Sequence, residues 1–202
     1  MSVTPAYLWF DAEFSSLDLD SAELLQVAVM ATDAALDPLS TPEEDLNLFI
    51  QVENPDAISP WVREHIPQVV EGSLSGEAVE VEVADNMLAA YVDRITGGPI
   101  DAIQDRPLLA GNSVHNDWLL ARRLLPAFVT RLHYRLLDVS TIKVQWQDHF
   151  GEAEFDKDSH EQIRQYFPAA RLREGLAGHD AYYDIQASIA ELGFYRSRLR
   201  KA

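Results

Sequence analysis

Residues 7–10 form a short apolar run that ends on Asp11, the pattern of a buried strand. Residues 24–32 (LLQVAVMAT) are longer and rich in apolar and β-branched side chains, and they read as a second strand. Residues 46–52 (LNLFIQV) alternate, as a half-exposed third strand does. Asp37-Pro38 and Thr41-Pro42 mark the loop between the second and third. Three strands in succession suggest an antiparallel meander. Helical spacing then takes over. Residues 57–65 hold one or two turns, with Pro60 early and Pro67 after them. Over residues 77–95, apolar side chains fall at Val79, Val83, Met87, Leu88, Tyr91, Val92 and Ile95, and Gly97-Gly98-Pro99 stops the helix. Residues 107–110 suit a central strand ending at Gly111. Residues 118–125 read as a helix ending before Pro126, residues 134–137 as a strand leading to Asp138, and residues 139–150 as a helix. An acidic loop follows over 151–159. The last helix, 181–199, places Ala181, Ile185, Ile189, Leu192 and Tyr195 on one face. This order predicts an α/β fold with a mixed central sheet flanked by helices, as one domain over 1–202. No repeat, low-complexity tract or linker interrupts it.

Composition narrows the picture. A chain of 202 residues can bury about 70% of the surface its unfolded form exposes, so it needs no disulfide or structural metal to fold. It has no cysteine, which excludes disulfides and thiolate metal sites and is compatible with a reducing cytoplasm. Residues 1–4 lack the basic segment and apolar run of a secretory signal. No stretch approaches the ~20 apolar residues of a membrane span, so no membrane partner is expected. The net charge of −17 argues against gripping long nucleic acid, because Lys and Arg neutralise phosphates in most non-specific binding. Most of the 33 acidic residues read as solvated surface. A subset can instead gather around divalent cations, and position separates the two.

Four acids stand out by position. Asp11 and Glu13 end the first strand, and residues i and i+2 on a strand point to one face. Asp117 follows Gly111-Asn112-Ser113, where a strand gives way to a helix. Asp184 lies one turn into the last helix, five residues after His179. Oxygen-rich carboxylate clusters suit Mg²⁺ or Mn²⁺ and not zinc. Two such ions about 4 Å apart can clamp an in-line phosphoryl transfer, and a histidine can take the proton from the attacking water. Each residue alone has a plainer explanation: Asp117 as a helix cap beside Asn116, Asp184 as an acid favoured by the helix dipole, His179 as a loop histidine. The remaining candidates read as structure. Arg196, Arg198, Arg200 and Lys201 suit a helix C-terminus. Trp118 and Trp146 suit a core. His115 reads as a solvated loop residue, and His133, His149 and His160 as structural or exposed.

The order Asp-x-Glu, Asp, His-x₄-Asp resembles the DEDDh exonuclease superfamily, and more closely its oligoribonucleases. Trp9 to Glu13 is similar to their first motif, and Gly111 to Asp117 to their second. His133 to Thr141 resembles their histidine-tyrosine-arginine segment with the aspartate-valine-serine-threonine that follows. His179 to Tyr195 resembles their last motif. The resemblance implies an RNase H-like fold and 3′-to-5′ hydrolysis of very short single-stranded RNA, dinucleotides favoured, to nucleoside 5′-monophosphates. It implies two Mg²⁺ or Mn²⁺ per active site on Asp11, Glu13, Asp117 and Asp184, with His179 as general base. Leu17 would match a wedge between bases, Trp61 an aromatic packed on a base, and His65 a neighbouring substrate contact. Ser113, with Tyr134, Arg135 and Ser140 from the second subunit of a homodimer, would match a cap over the 5′-phosphate. A dinucleotide offers few phosphates, which suits an acidic chain. The alternatives are a DEDDh exonuclease on longer RNA or DNA 3′ ends, and a catalytically silent nucleic-acid-binding relative. The chain departs from the pattern at Ser15-Ser16-Leu17, where the family has threonine-glycine-leucine. It departs again after Trp61, at Leu136 in place of a tyrosine, and over the acidic stretch of Glu152, Glu154, Asp156 and Asp158.

Overall fold

The structure is a computed structural model that describes residues 6–149, 154–172 and 178–199. Its sheet has five strands: β1 (Tyr7–Phe14), β2 (Leu24–Thr32), β3 (Leu46–Phe49), β4 (Leu108–Gly111) and β5 (Leu136–Asp138), in the order β3-β2-β1-β4-β5. The expected meander is present, since β1–β2 and β2–β3 pair antiparallel. The sheet is mixed because β4 and β5 then add in parallel beyond β1.

The pleat of β1 divides the molecule. Leu8, Phe10 and Ala12 point to one face, where they meet α3 (Val81–Thr96), α4 (His115–Leu124) and α5 (Pro126–Val129) through Leu88, Leu120 and Phe128. Trp9 points to the other face, where it joins α6 (Val139–His149), α7 (His160–Tyr166) and α8 (Ala181–Leu199) through Trp146, Ile163 and Ile189. Full burial of a side chain such as Trp9 or Phe10 contributes about 1.5–3 kcal/mol, so the alternation fixes the strand's register firmly. A third apolar cluster seats α1 (Pro60–His65) and α2 (Pro67–Ser73) on Leu25 through Val62, Ile66 and Val69.

Several boundaries shift for local reasons. The third strand ends at Phe49, and Ile50 instead bridges Val79 in parallel. That bridge holds Val79, whose N–H donates to Phe49 O at 2.9 Å, so α3 begins at Val81 and not at 77. The helix ends on Gly97 at φ 79°, a left-handed cap that glycine takes without steric cost. Helix α4 begins at His115, three residues before the expected start, because Ser113 at φ 51° turns the chain directly off β4. The fifth strand starts at Leu136, after a turn closed by Arg135 N–H donating to His133 Nδ1 at 2.8 Å. Helices α2, α5 and α7 were not foreseen. In α7, Ser159 Oγ accepts from Gln162 N at 3.3 Å, an N-cap, and Ile163 is buried against α8. The last helix has the bounds the sequence predicts. Arg196 fixes its end by donating to Tyr7 Oη at 2.8 Å, in keeping with a structural tail. Phe150, Glu152, Arg200 and Lys201 lie outside the described residues. No described helix is long and apolar enough to cross a membrane.

Candidate active site

The site forms where the parallel strands part. Strands β1 and β4 pair only as far as Trp9 and Ala110. Gly111 still lies so close that a Cβ there would sit 2.8 Å from Phe10 O, so a side chain would push the two strands apart. Beyond this point β1 continues to Phe14 with only β2 beside it, and on the side β4 has left its Ala12 N–H donates to Asp117 Oδ1 at 3.0 Å. Asp117, buried in the first turn of α4, thus replaces the missing strand as partner. The crevice lies at the carboxyl ends of the strands where the sheet order reverses, the usual ligand position in open α/β sheets.

The face of β1 that carries Trp9 also carries Asp11 and Glu13, so both carboxylates look toward α8. Asp184 projects from the first turn of α8, and His179 precedes the helix at φ 70° with its N–H donating to Asp184 Oδ2 at 2.8 Å. Asp11, Glu13, Asp117, His179 and Asp184 line one cleft of about 240 Å³. The structure thus brings these five residues together in one cleft. The buried Asp180 caps α8 by accepting from Tyr183 N at 3.0 Å, and its other oxygen accepts from Gln26 Nε2 at 3.0 Å. Gln26 lies opposite Glu13 in the β1–β2 register, so this bond ties the start of α8 to the strand that carries the acids.

Crowding four carboxylates has an electrostatic cost. Burial raises Asp11 well above the usual carboxylate range, and Asp117, Asp184 and Glu13 push it further. Burial, then Asp184 and Asp180, push Glu13 up to about 7. Burial pushes Asp117 up to about 8 against the lowering effect of the Ala12 hydrogen bond. Asp184 is raised by burial and held back by Lys157 and the His179 N–H. A cation would relieve each of these. Glu13, His179 and Asp184 each present a donor atom within 4.8 Å of the others, while Asp11 and Asp117 add oxygens to the same cleft. This hard, oxygen-rich set fits a divalent cation such as Mg²⁺ or Mn²⁺.

A second, apolar cleft of about 450 Å³ shares Glu13 and His179 with the first and is lined by Leu17, Trp61, Val62 and Ile66. Leu17 is 89% exposed and Trp61 51%, unusual for such side chains without a partner. His65 stacks on Trp61 at 4.3 Å between centroids and 8° between planes, and its Nδ1 lies 2.9 Å from Trp61 O. His65 thus braces the indole and itself lines neither cleft. Ser15, one of the departures, is buried: its Oγ accepts from Glu23 N at 2.9 Å and its carbonyl accepts from Ser59 N at 2.8 Å, which fixes the Leu17 loop to the start of α1.

Ser113 lines the acidic cleft, and its N–H donates to Ser140 Oγ at 2.9 Å and Asp138 Oδ1 at 3.0 Å. The Ser113–Ser140 pair is therefore complete within one chain, where the resemblance drew Ser140 from a second subunit. Asn112 supports the pair: its Oδ1 accepts from Ser140 Oγ at 3.1 Å and its Nδ2 donates to the buried Glu191 at 2.9 Å. Tyr134 and Arg135 lie outside both clefts of this chain. Tyr134 is 58% exposed, stacked on His133 at 4.4 Å, with the Arg135 guanidinium 5.6 Å above its ring. Sequence reasoning missed Lys157, Asn112, Asn116 and Ser188 as lining residues. Asn112 and Asn116 stand inside the Gly111–Asp117 motif, and Lys157 was hidden in an acidic stretch.

A largely buried carboxylate cluster with an adjacent histidine, at the switch point of this mixed sheet, is a candidate divalent-cation site. The family model described as Exonuclease matches residues 8–192, and the chain belongs to that family. Within it the chain stands with the oligoribonucleases. It is 30% identical over 196 residues to the oligoribonuclease of Mycobacterium avium (strain 104), covering 94% of this chain and 79% of that one. It is 28% identical over 205 residues to the mitochondrial oligoribonuclease of Homo sapiens, covering 99% and 76%. Among solved structures, exonuclease I from Methylocaldum szegediense shares the fold with a TM-score of 0.63 at 17% identity; the match covers 96% of this chain but 41% of that one. Cell-death related nuclease 4 shares it with a TM-score of 0.63 at 14% identity, covering 95% and 64%.

Proposed function

We propose that the chain is a two-metal 3′-to-5′ exoribonuclease that trims very short single-stranded RNA, dinucleotides above all, to nucleoside 5′-monophosphates. One observation carries this reading: the acidic cleft and the exposed apolar cleft share Glu13 and His179 as a common wall. Phosphodiester chemistry and base contact then adjoin, with the Trp61 ring 5.9 Å from that of His179. The oligoribonuclease relatives, matched over nearly the whole chain, support the same substrate class.

Asp11, Glu13, Asp117 and Asp184 would hold the cations. Divalent cations supply an acidified water and positive charge against the oxygens of the reacting phosphate. His179 accepts the proton of the attacking water, and its main-chain bond to Asp184 keeps the imidazole at the mouth shared by both clefts. Leu17 and Trp61 grip the bases, and Ser113 with Ser140 faces the terminal phosphate. A homodimer would bring Tyr134 and Arg135 of a second subunit over that end and limit substrate length. The exposure of Tyr134 supports this part. A cytoplasmic setting completes the reading, and cell fractionation tests it.

The test is a panel of 5′-labelled RNAs and DNAs of two to twenty residues, with Mg²⁺ and with Mn²⁺, resolved by product length. Fast conversion of dinucleotides to mononucleotides with slow loss of longer strands is expected. Equal rates on two- and twenty-residue RNA, or a preference for DNA, defeat the short-RNA reading and leave a general exonuclease.

A further inference from the structure

Among the described residues, Lys157 is the one lysine or arginine that lines the acidic cleft, and it comes from a segment with no motif. Lys157 lies in a turn that leads into α7. The turn is built: Asp158 N–H donates to Asp156 Oδ1 at 3.0 Å, and Asp156 N–H to Gln162 Oε1 at 3.2 Å. Its main chain is fixed to the site, because Tyr183 Oη donates to Lys157 O at 2.8 Å, and Tyr183 precedes Asp184 on α8. The side chain passes over Gly178, next to His179: a Cβ on Gly178 would lie 3.9 Å from Lys157 Nζ. The ammonium thus stands beside the residue that precedes His179, in the cleft that His179 and Asp184 also line. Its charge reaches Asp11, Glu13 and Asp184, lowering each against burial. Yet no ion pair among the described residues includes it. A lysine serving only as counter-ion to the cluster would close to ion-pair distance with a carboxylate. This one is anchored by its main chain and left uncommitted at its tip.

Resting on the exoribonuclease reading above, we infer that Lys157 is a substrate-positioning residue whose ammonium pairs with a phosphate oxygen of the RNA in the acidic cleft. A phosphodiester entering four carboxylates needs positive charge, and Lys157 brings an ammonium to that wall. An ammonium on a flexible stem offers three donors and tolerates the motion of a reacting phosphate. A charge-assisted hydrogen bond of this kind accounts for about a tenfold change in affinity at a partly solvated site.

Two readouts of opposite sign test this. Lys157→Met keeps the stem and removes the charge; Lys157→Arg restores the charge. With Mn²⁺ present, the KM of a 5′-phosphorylated dinucleotide should rise about tenfold in Lys157→Met and recover in Lys157→Arg. Without RNA, calorimetry should find Mn²⁺ bound by Lys157→Met at least as tightly as by the native protein, because a competing cation has gone. With Mn²⁺ bound, unfolding temperatures should match, since the side chain is exposed and the cation then offsets the acids. A KM within twofold of native on a dinucleotide that the native protein cleaves overturns the role of Lys157 alone. Weaker Mn²⁺ binding in step with the KM change overturns it too, by making Lys157 a support for the cation ligands. A native protein that binds Mn²⁺ but cleaves no RNA overturns the exoribonuclease reading, and the role of Lys157 with it.

Discussion

The acidic cleft and the Tyr134–Arg135 segment, both given a part in handling RNA by the proposed function, are built in opposite ways. The cleft rests on a strand and two helices, its acids are buried or nearly so, and every member comes from one chain. Tyr134 and Arg135 sit on an exposed turn before β5, outside both clefts, and hold mainly to each other and to His133. The geometry of the cleft therefore depends on the sheet and the helices packed on it, not on a second molecule. On the proposed reading, selection by substrate length rests instead on surface side chains that need a second molecule to reach the site. Rate and length selectivity should respond to different substitutions.

Asp11→Asn gives the largest expected effect. It removes a cation ligand at the centre of the cluster and should lower kcat by about 10³-fold or more on every substrate length. Retention of near-native turnover in rapid-quench assays would remove the basis for a metal-assisted mechanism. His179→Ala should lose about 10²–10⁴ in rate, again at all lengths, and the acidic limb of the pH–rate profile should change. Mn²⁺ affinity measured by calorimetry should persist; a parallel loss would make His179 a ligand, a role its place beside Glu13 and Asp184 also allows. Arg135→Ala should act on length alone. Dinucleotide cleavage should fall about tenfold, the scale of one charge-assisted hydrogen bond, while a seven-residue RNA is cleaved at nearly the native rate. Sedimentation that finds an active monomer would contradict the dimeric cap.

The smallest effect concerns stability and pH. Folding raises Glu13 to about 7 and Asp117 to about 8, so it favours their protonated forms. That contribution is complete below the ordinary carboxylate values near 4 and is lost as pH rises through about 7 and 8. The metal-free protein should thus melt several degrees lower at about pH 8 than at about pH 5, at ~2–4 °C per kcal/mol for a domain of this size. Mn²⁺ should raise Tm most at the higher pH, where the acids are ionised and bind it. Asp117→Asn should flatten the pH dependence of the metal-free protein.

Much of this was legible in the sequence where the signal is local. The two-residue spacing of Asp11 and Glu13 puts both on one face of β1, and the apolar spacing of 181–199 gives α8 its bounds. Proline explains some of the misses. Pro67 and Pro126 read as helix stops, yet each occupies the first turn of the next helix, α2 and α5, where its missing N–H has no partner to lose. The start of α7 carried a usable signal in Ser159 and Gln162, spaced as a capping pair. Other features had no local signal at all. The Gln26–Asp180 bond joins residues 154 apart in the chain, and Lys157 enters the cleft only because Tyr183 holds its carbonyl. Ser140 needed the structure to place it beside Ser113 of its own chain, because pairing across the β4–β5 edge leaves no trace in spacing.

Anomalous diffraction at the manganese edge tests the central claim most directly, on crystals grown with Mn²⁺ and a 5′-phosphorylated dinucleotide carrying a non-hydrolysable linkage. Two manganese peaks about 4 Å apart among Asp11, Glu13, Asp117 and Asp184 are expected, with a base against Trp61 and Leu17. No peak in the acidic cleft, or an RNA phosphate bound away from it, would contradict the account.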